Sequence, residues 1–82
     1  MTVYTDGIHL VADSLEELHA FAMRLGLRRG WFHNRRDRKR PHPHYDVVSR
    51  WQLQLAQVLG AKLARPRDVL RVSQACGERV RK

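Results

Sequence analysis

Apolar and polar positions follow two periods along this chain, and each change of period marks an element. Thr2 to Tyr4 has the β-branched and aromatic character of a short first strand. Thr5-Asp6-Gly7 is turn chemistry, because Asp and Gly tolerate left-handed backbone. Ile8 to Ala12 is an apolar extended segment with His9 inside it. The period then becomes helical. Leu15, Leu18, Ala22 and Leu25 define one buried face, with Phe21 on one flank and His19 on the opposite boundary. Ser14-Leu15-Glu16-Glu17 fits a capping box at the start of this helix, and Gly26 is a natural stop.

Gly30-Trp31-Phe32 predicts a second strand or an anchored turn. Asn34 to Arg40 is an unbroken polar run with nothing to bury, so it predicts a solvated loop. Pro41 and Pro43 hold the chain extended beyond it. Tyr45 to Val48 is short and extended. A second helix runs from about Ser49 to Leu59, with Trp51, Leu55, Val58 and Leu59 on its apolar face, and Gly60 ends it. Ala61 to Ala64 predicts a short strand. Pro66 suits a first helical turn, and Val69, Val72, Cys76 and Val80 line a last helix that Gly77 interrupts. Alternating strands and helices predict an α/β fold: a small single layered domain over residues 1–82, with a short, partly parallel sheet and about three helices. An exposed basic, Pro-containing loop is expected at 34–43 and a basic C-terminal helix at 65–82. RLGL and VLGA, at the two helix ends, form a faint internal echo.

Size narrows the kind of site. A domain of this length buries only roughly 60% of its unfolded surface, so a deep internal cavity is not expected, and any site should be a shallow cleft or patch. The single cysteine, Cys76, excludes an internal disulfide and, on an apolar helix face, reads as core. The start has neither a basic stretch nor a long apolar run, and no segment approaches the roughly 20 apolar residues of a membrane span. A cytoplasmic protein without a membrane partner is the expectation.

Charge changes the picture more. The net charge is +8, and all sixteen basic residues lie from Arg24 onward. Seven fall between Arg28 and Arg40: Arg28, Arg29, Arg35, Arg36, Arg38, Lys39 and Arg40. Such clustering points to a polyanion, DNA or RNA, held through phosphates with little sequence preference. No helix-turn-helix, zinc-finger or RNA-recognition signature supplies base reading.

Histidine is the enriched reactive type: His9, His19, His33, His42 and His44. In an extended segment His42, His44 and Asp46 share one side, and two imidazoles with a carboxylate suit a divalent metal or acid–base work. Asp6 and His9 come after the first strand, His19 lies in the first helix, and His44 and Asp46 precede the second. Loops at the carboxyl ends of strands are the usual place for a site in layered α/β folds. His9, His19, His44 and Asp46, with Asp6, are therefore the expected catalytic cluster. No HExxH, paired CxxC or EF-hand spacing names a metal, so the metal and any cofactor stay open. The competing structural reading makes His9 a backbone-bonded residue, His19 a helix-boundary residue, Asp46 part of a helix N-cap and Asp6 a turn former.

TVYTD near the start, HLVADSLEELHAFAMRLGL, Trp31-Phe32, His44-Tyr45-Asp46 and Leu59 to Ala61 together resemble the short bacterial and phage proteins grouped as domain of unknown function 4031. The resemblance covers most of residues 2 to 61, and the segment after Ala64 shows no counterpart. It implies that His9, His19, His44, Tyr45 and Asp46 belong to the family pattern, and it implies no particular activity. Where family members often carry a longer insert before the HL motif, this chain has only Gly7-Ile8. The residues support three readings: a small phage- or mobile-element-type protein that associates with nucleic acid through its Arg-rich loop; a hydrolase or nuclease using the His/Asp cluster, metal-dependent or not; and a non-catalytic module that binds a protein partner, such as an inhibitor of an acidic host factor.

Overall fold

The computed structural model describes residues 3–33, 42–47 and 49–81, the last three of these by backbone alone. Thr2, residues 34–41, Val48 and the side chain of Val80 lie outside the described residues. The elements are β1 (Val3–Thr5), β2 (His9–Ala12), α1 (Leu15–Arg24), a 3-10 turn (Arg29–Trp31), β3 (Tyr45–Asp46), α2 (Arg50–Val58), β4 (Lys62–Leu63) and α3 (Pro66–Arg81). The strands form one mixed sheet in the order β3-β2-β1-β4, with β1 and β4 parallel and the other pairs antiparallel. This is the small, partly parallel α/β domain that the hydropathy pattern predicts. Gly30-Trp31-Phe32 resolves as the anchored turn. No helix among the described residues is long and apolar enough to cross a membrane.

The helix ends are written locally. The Ser14 hydroxyl accepts from the Glu17 amide at 3.1 Å, and the Ser49 hydroxyl accepts from the Gln52 amide at 3.1 Å. Both stops use one device. Gly26 (φ 88°) lets the Leu27 amide reach back to the Ala22 carbonyl, and Gly60 (φ 114°) does the same for Ala61 and Ala56, each at 2.9 Å. The two glycine motifs are thus structurally equivalent, but only the second leads into a strand.

The sheet is covered on both faces. Leu10 and Ala12 of β2, with Val3 and Tyr45, join Leu18, Phe21, Ala22 and Leu25 of α1 in the main core. Val11 points the other way, toward Val69 and Ser73 of α3, which packs on β2 and β1.

Two helix faces differ from their prediction. On α2, Trp51 and Val58 are 65% and 81% exposed. Ala56 is the buried residue, flanked by Leu53, Leu55 and Leu59. The helix carries two overlapping apolar stripes, and the one with the small Ala56 allows the closer approach to the core. On α3 the buried positions are Val69, Ser73, Cys76 and Gly77, while Val72 is half-buried. A hydropathy pattern passes over Ser73. Its hydroxyl donates to the carbonyl of Pro43 at 2.8 Å, which satisfies a buried polar pair and ties the His42-Pro43 segment under α3. The helix runs through Gly77 without a break.

Candidate metal centre

Alternation along β2 and β3 builds the site. His9 pairs with Asp46, and Leu10 with Tyr45. Side chains opposite one another in a ladder share a face, and neighbours along a strand do not. His9, His44 and Asp46 therefore emerge on the α3 side, while Leu10 and Tyr45 turn into the core. A further antiparallel bridge joins His33 to His44, with both amide-to-carbonyl bonds at 2.9 Å, and brings a third imidazole to the same face. His33 and His42 are the flanks of residues 34–41, so the Arg-rich segment begins and ends at this cluster.

Asp6 fixes the turn and the first imidazole together. Its Oδ1 accepts from the amides of Ile8 (2.9 Å) and His9 (2.7 Å), and Gly7 supplies the left-handed residue (φ 100°) that the turn requires. Its Oδ2 lies 3.0 Å from His9 Nδ1. Burial pushes the Asp6 carboxyl up, but the hydrogen bonds from the His9 ring and from the two amides outweigh it and hold the group below its ordinary value of 3.8. An ionised carboxylate only accepts, so His9 Nδ1 carries the proton and Nε2 keeps the lone pair. His44 repeats the logic. Its Nδ1 is 2.8 Å from the His42 carbonyl oxygen, which also only accepts, so its free lone pair is again on Nε2.

Asp46 connects the rings. Its Oδ1 is 3.5 Å from His44 Nε2, and its Oδ2 is 3.4 Å from His33 Nε2. A ring nitrogen of His9, a ring nitrogen of His44 and a carboxylate oxygen of Asp46 all lie within 4.8 Å of one another. Ligand atoms bonded to one tetrahedral zinc at about 2.0–2.1 Å sit about 3.3–3.4 Å apart. The His44–Asp46 separation already matches, and His9, whose side chain is 44% exposed, has room to close the rest. His9 and His44 face a cleft of about 340 Å³ lined by them and His42 on one side and by Pro66, Val69 and Ser73 of α3 on the other, while Asp46 lines a second cleft. Two imidazoles and a carboxylate on one open face, each imidazole held from behind by an oxygen acceptor, fit a transition-metal ion with positions left for water or substrate.

A family model described as protein of unknown function (DUF4031) matches residues 5–76. The chain belongs to the DUF4031 family. No curated protein and no solved structure matches it. The DUF4031 match spans Asp6, His9, His19, His33, His42, His44 and Asp46, and it extends through α3 to Cys76. The expectation that nothing after Ala64 has a family counterpart is therefore corrected: most of the helix that walls the cleft belongs to the DUF4031 pattern.

Of the expected cluster, the fold brings together Asp6, His9, His44 and Asp46. His19 is elsewhere. Its Nδ1 is 2.7 Å from the Tyr45 hydroxyl, and its ring packs edge-on to Phe32 with centroids 4.6 Å apart. Tyr45 and Phe32 each sit next to a cluster residue in sequence and so point through the sheet to its opposite face. His42, expected on the same side as His44 and Asp46, stacks on His44 with centroids 5.1 Å apart, and His33 is the addition. In the sequence His33 is recognisable only as a histidine, because its pairing with His44 spans the polar run. Arg28 and Arg29 are exposed, and Arg35, Arg36, Arg38, Lys39 and Arg40 lie outside the described residues.

Burial, with a smaller contribution from Arg29, pushes the His19 pKa below its ordinary 6.5. Burial likewise pushes the Tyr45 hydroxyl up, against a smaller opposing effect of Arg29. A histidine with a depressed folded pKa makes the unfolded chain the better proton binder below 6.5. Its stabilising contribution is complete above the unfolded value and is lost as pH falls from there through the folded value. Denaturant titrations from pH 8 to pH 5 should show stability dropping below about pH 6.5. The drop should be shallower in His19→Gln. Parallel curves for the two proteins would assign the drop to other groups.

Proposed function

We propose that this protein is a divalent-metal-dependent phosphodiester hydrolase acting on nucleic acid. The convergence of His9, His44 and Asp46, with Nδ1 of the two imidazoles held by Asp6 and by the His42 carbonyl, is the observation that carries the reading. His9, His44 and Asp46 would hold the cation, which would supply an acidified water near neutral pH and neutralise charge on a phosphate oxygen. In the reaction, a water oxygen bonds to phosphorus, one P–O ester bond breaks, and the departing oxygen takes up a proton. His33, half exposed and 3.4 Å from Asp46, is the group placed to exchange that proton with solvent. The substrate class rests on charge: +8 overall, with seven basic residues between Arg28 and Arg40 in the sequence.

The second reading is association with nucleic acid without cleavage, and the same basic segment favours it. One experiment separates the two. Labelled single- and double-stranded DNA and RNA are incubated with tag-free protein and Zn²⁺, Mn²⁺ or Mg²⁺, with and without chelator. Cleavage that requires metal and stops with chelator is expected. Binding measured in chelator should fall on the order of 10³-fold between 50 and 200 mM salt if the seven residues neutralise phosphates. Salt-sensitive binding without cleavage under any metal leaves the second reading. No binding at low salt removes both.

A further inference from the structure

On the outer side of β3 a second cleft of about 340 Å³ is lined by Gly30, Trp31, His33 and Asp46. That volume is within the roughly 300–1,000 Å³ of small-molecule sites. Trp31 is 47% exposed, although Phe32 beside it is packed against His19 and Tyr45. The 3-10 turn explains how the indole is held out. Trp31 N–H donates to the Arg28 carbonyl at 2.9 Å and Phe32 N–H to the Arg29 carbonyl at 3.1 Å, while the Phe32 ring anchors the turn to the core. The Arg28 guanidinium lies over the indole, 5.8 Å from its centroid, so one face of the ring already carries a cation and the other is left for a ligand. Asp46 lines this cleft and is also a donor of the metal centre, so a ligand here is next to the proposed reacting position.

A half-exposed indole, an adjacent guanidinium and a neighbouring carboxylate fit one chemistry. A flat heterocycle stacks on the indole, and the phosphate linked to it meets Arg28. An acidic peptide has no use for the aromatic surface. In a duplex the faces of each base are covered by its neighbours, so only an unpaired base can stack on protein. We propose that the Trp31 cleft receives one unpaired nucleobase of a single-stranded nucleic acid, with the neighbouring phosphate held by Arg28. The proposal rests on the nucleic-acid part of the functional reading and does not depend on metal or cleavage.

The test uses the full-length, tag-free protein in chelator, so that no strand is cut. The probes are twelve-residue oligothymidylate and oligouridylate, a duplex of the same length, and a twelve-residue abasic strand that keeps the phosphates. The wild-type protein should bind the base-bearing strands at least about tenfold more tightly than the abasic one. Trp31→Ala should lose about that factor on base-bearing strands and change less than about twofold on the abasic strand and duplex. Trp31→Phe should recover most of the loss. Gly30→Leu is the second variant. A Cβ at Gly30 meets nothing within 4 Å, and the backbone there is not left-handed, so a larger side chain is accommodated at a residue that lines the cleft without disturbing the fold. It should reproduce the Trp31→Ala loss. In Trp51→Phe, where Trp31 is the remaining tryptophan, fluorescence should be quenched by base-bearing strands alone. Equal affinity for abasic and base-bearing strands, or equal losses on every probe in Trp31→Ala, overturns the proposal. So does Gly30→Leu binding like wild type. Binding to no probe removes the nucleic-acid reading along with it. Base-dependent binding through Trp31 with no metal-dependent cleavage keeps this proposal and removes the hydrolase reading.

Discussion

Replacing His44 with alanine is expected to lower the affinity for Zn²⁺ or Co²⁺ at least about 100-fold. Loss of an outer-sphere partner alone typically costs 10–100-fold, and in the proposed centre His44 would be a direct donor. It is the least exposed of the three (side chain 14%), and its Nε2 sits 3.5 Å from the Asp46 carboxylate. Asp46→Asn should weaken binding similarly and abolish cleavage, because the amide oxygen is a poorer ligand and carries no charge. Asp6→Ala should cost about 10–100-fold. Asp6 acts through His9 as a positioning residue, setting its tautomer and the turn that presents it. Met23→Ala is the control, since Met23 is 75% exposed on α1 and should leave metal affinity unchanged. The measurement is the visible spectrum of the Co²⁺-loaded protein together with calorimetric titration, with folding checked by circular dichroism. Wild-type affinity in a folded His44→Ala protein would falsify the centre.

Phe21→Ala should unfold the protein or come close to it. Phe21 is 1% exposed and packs in the core between α1 and the sheet. Truncating a buried Phe typically costs about 3–5 kcal/mol. At 0.05–0.15 kcal/mol per residue, a chain this long has only about 4–12 kcal/mol of stability in total. The melting temperature should fall by at least about 12 °C. Met23→Ala, two residues on in the same helix but 75% exposed, should change it by no more than a few degrees. Both variants keep the capping box and the Gly26 stop, so the comparison isolates burial from helix propensity. Similar melting temperatures for the two would mean that α1 does not pack as described.

The residues that tie the two faces together are consecutive. His44, Tyr45 and Asp46 send two polar donors to the α3 side and one aromatic ring into the core, where its hydroxyl meets His19. Core packing of Tyr45 and Phe32 thus holds the register that presents His44, Asp46 and His33. A substitution that loosens this aromatic group acts on the site through position, without touching a ligand.

Sequence alone determined what a few neighbouring residues decide between them. Ser14 and Ser49 start helices, Gly26 and Gly60 end them, and Pro66 opens the last one. Strand alternation put His44 and Asp46 on one side and Tyr45 on the other. These features depend on hydrogen bonds and backbone sterics spanning four or five residues, so they are legible without a fold. The tertiary structure decided the rest. The β2–β3 register set His9 opposite Asp46, the His33–His44 bridge joined the two flanks of the Arg-rich segment, and α1 carried His19 to the opposite face. It also selected the Ala56 stripe of α2 over the larger Trp51 stripe and buried Ser73 against the Pro43 carbonyl. Each of these depends on which distant segments meet and in what register. That choice is made by the packing of the whole core, and no local pattern records it.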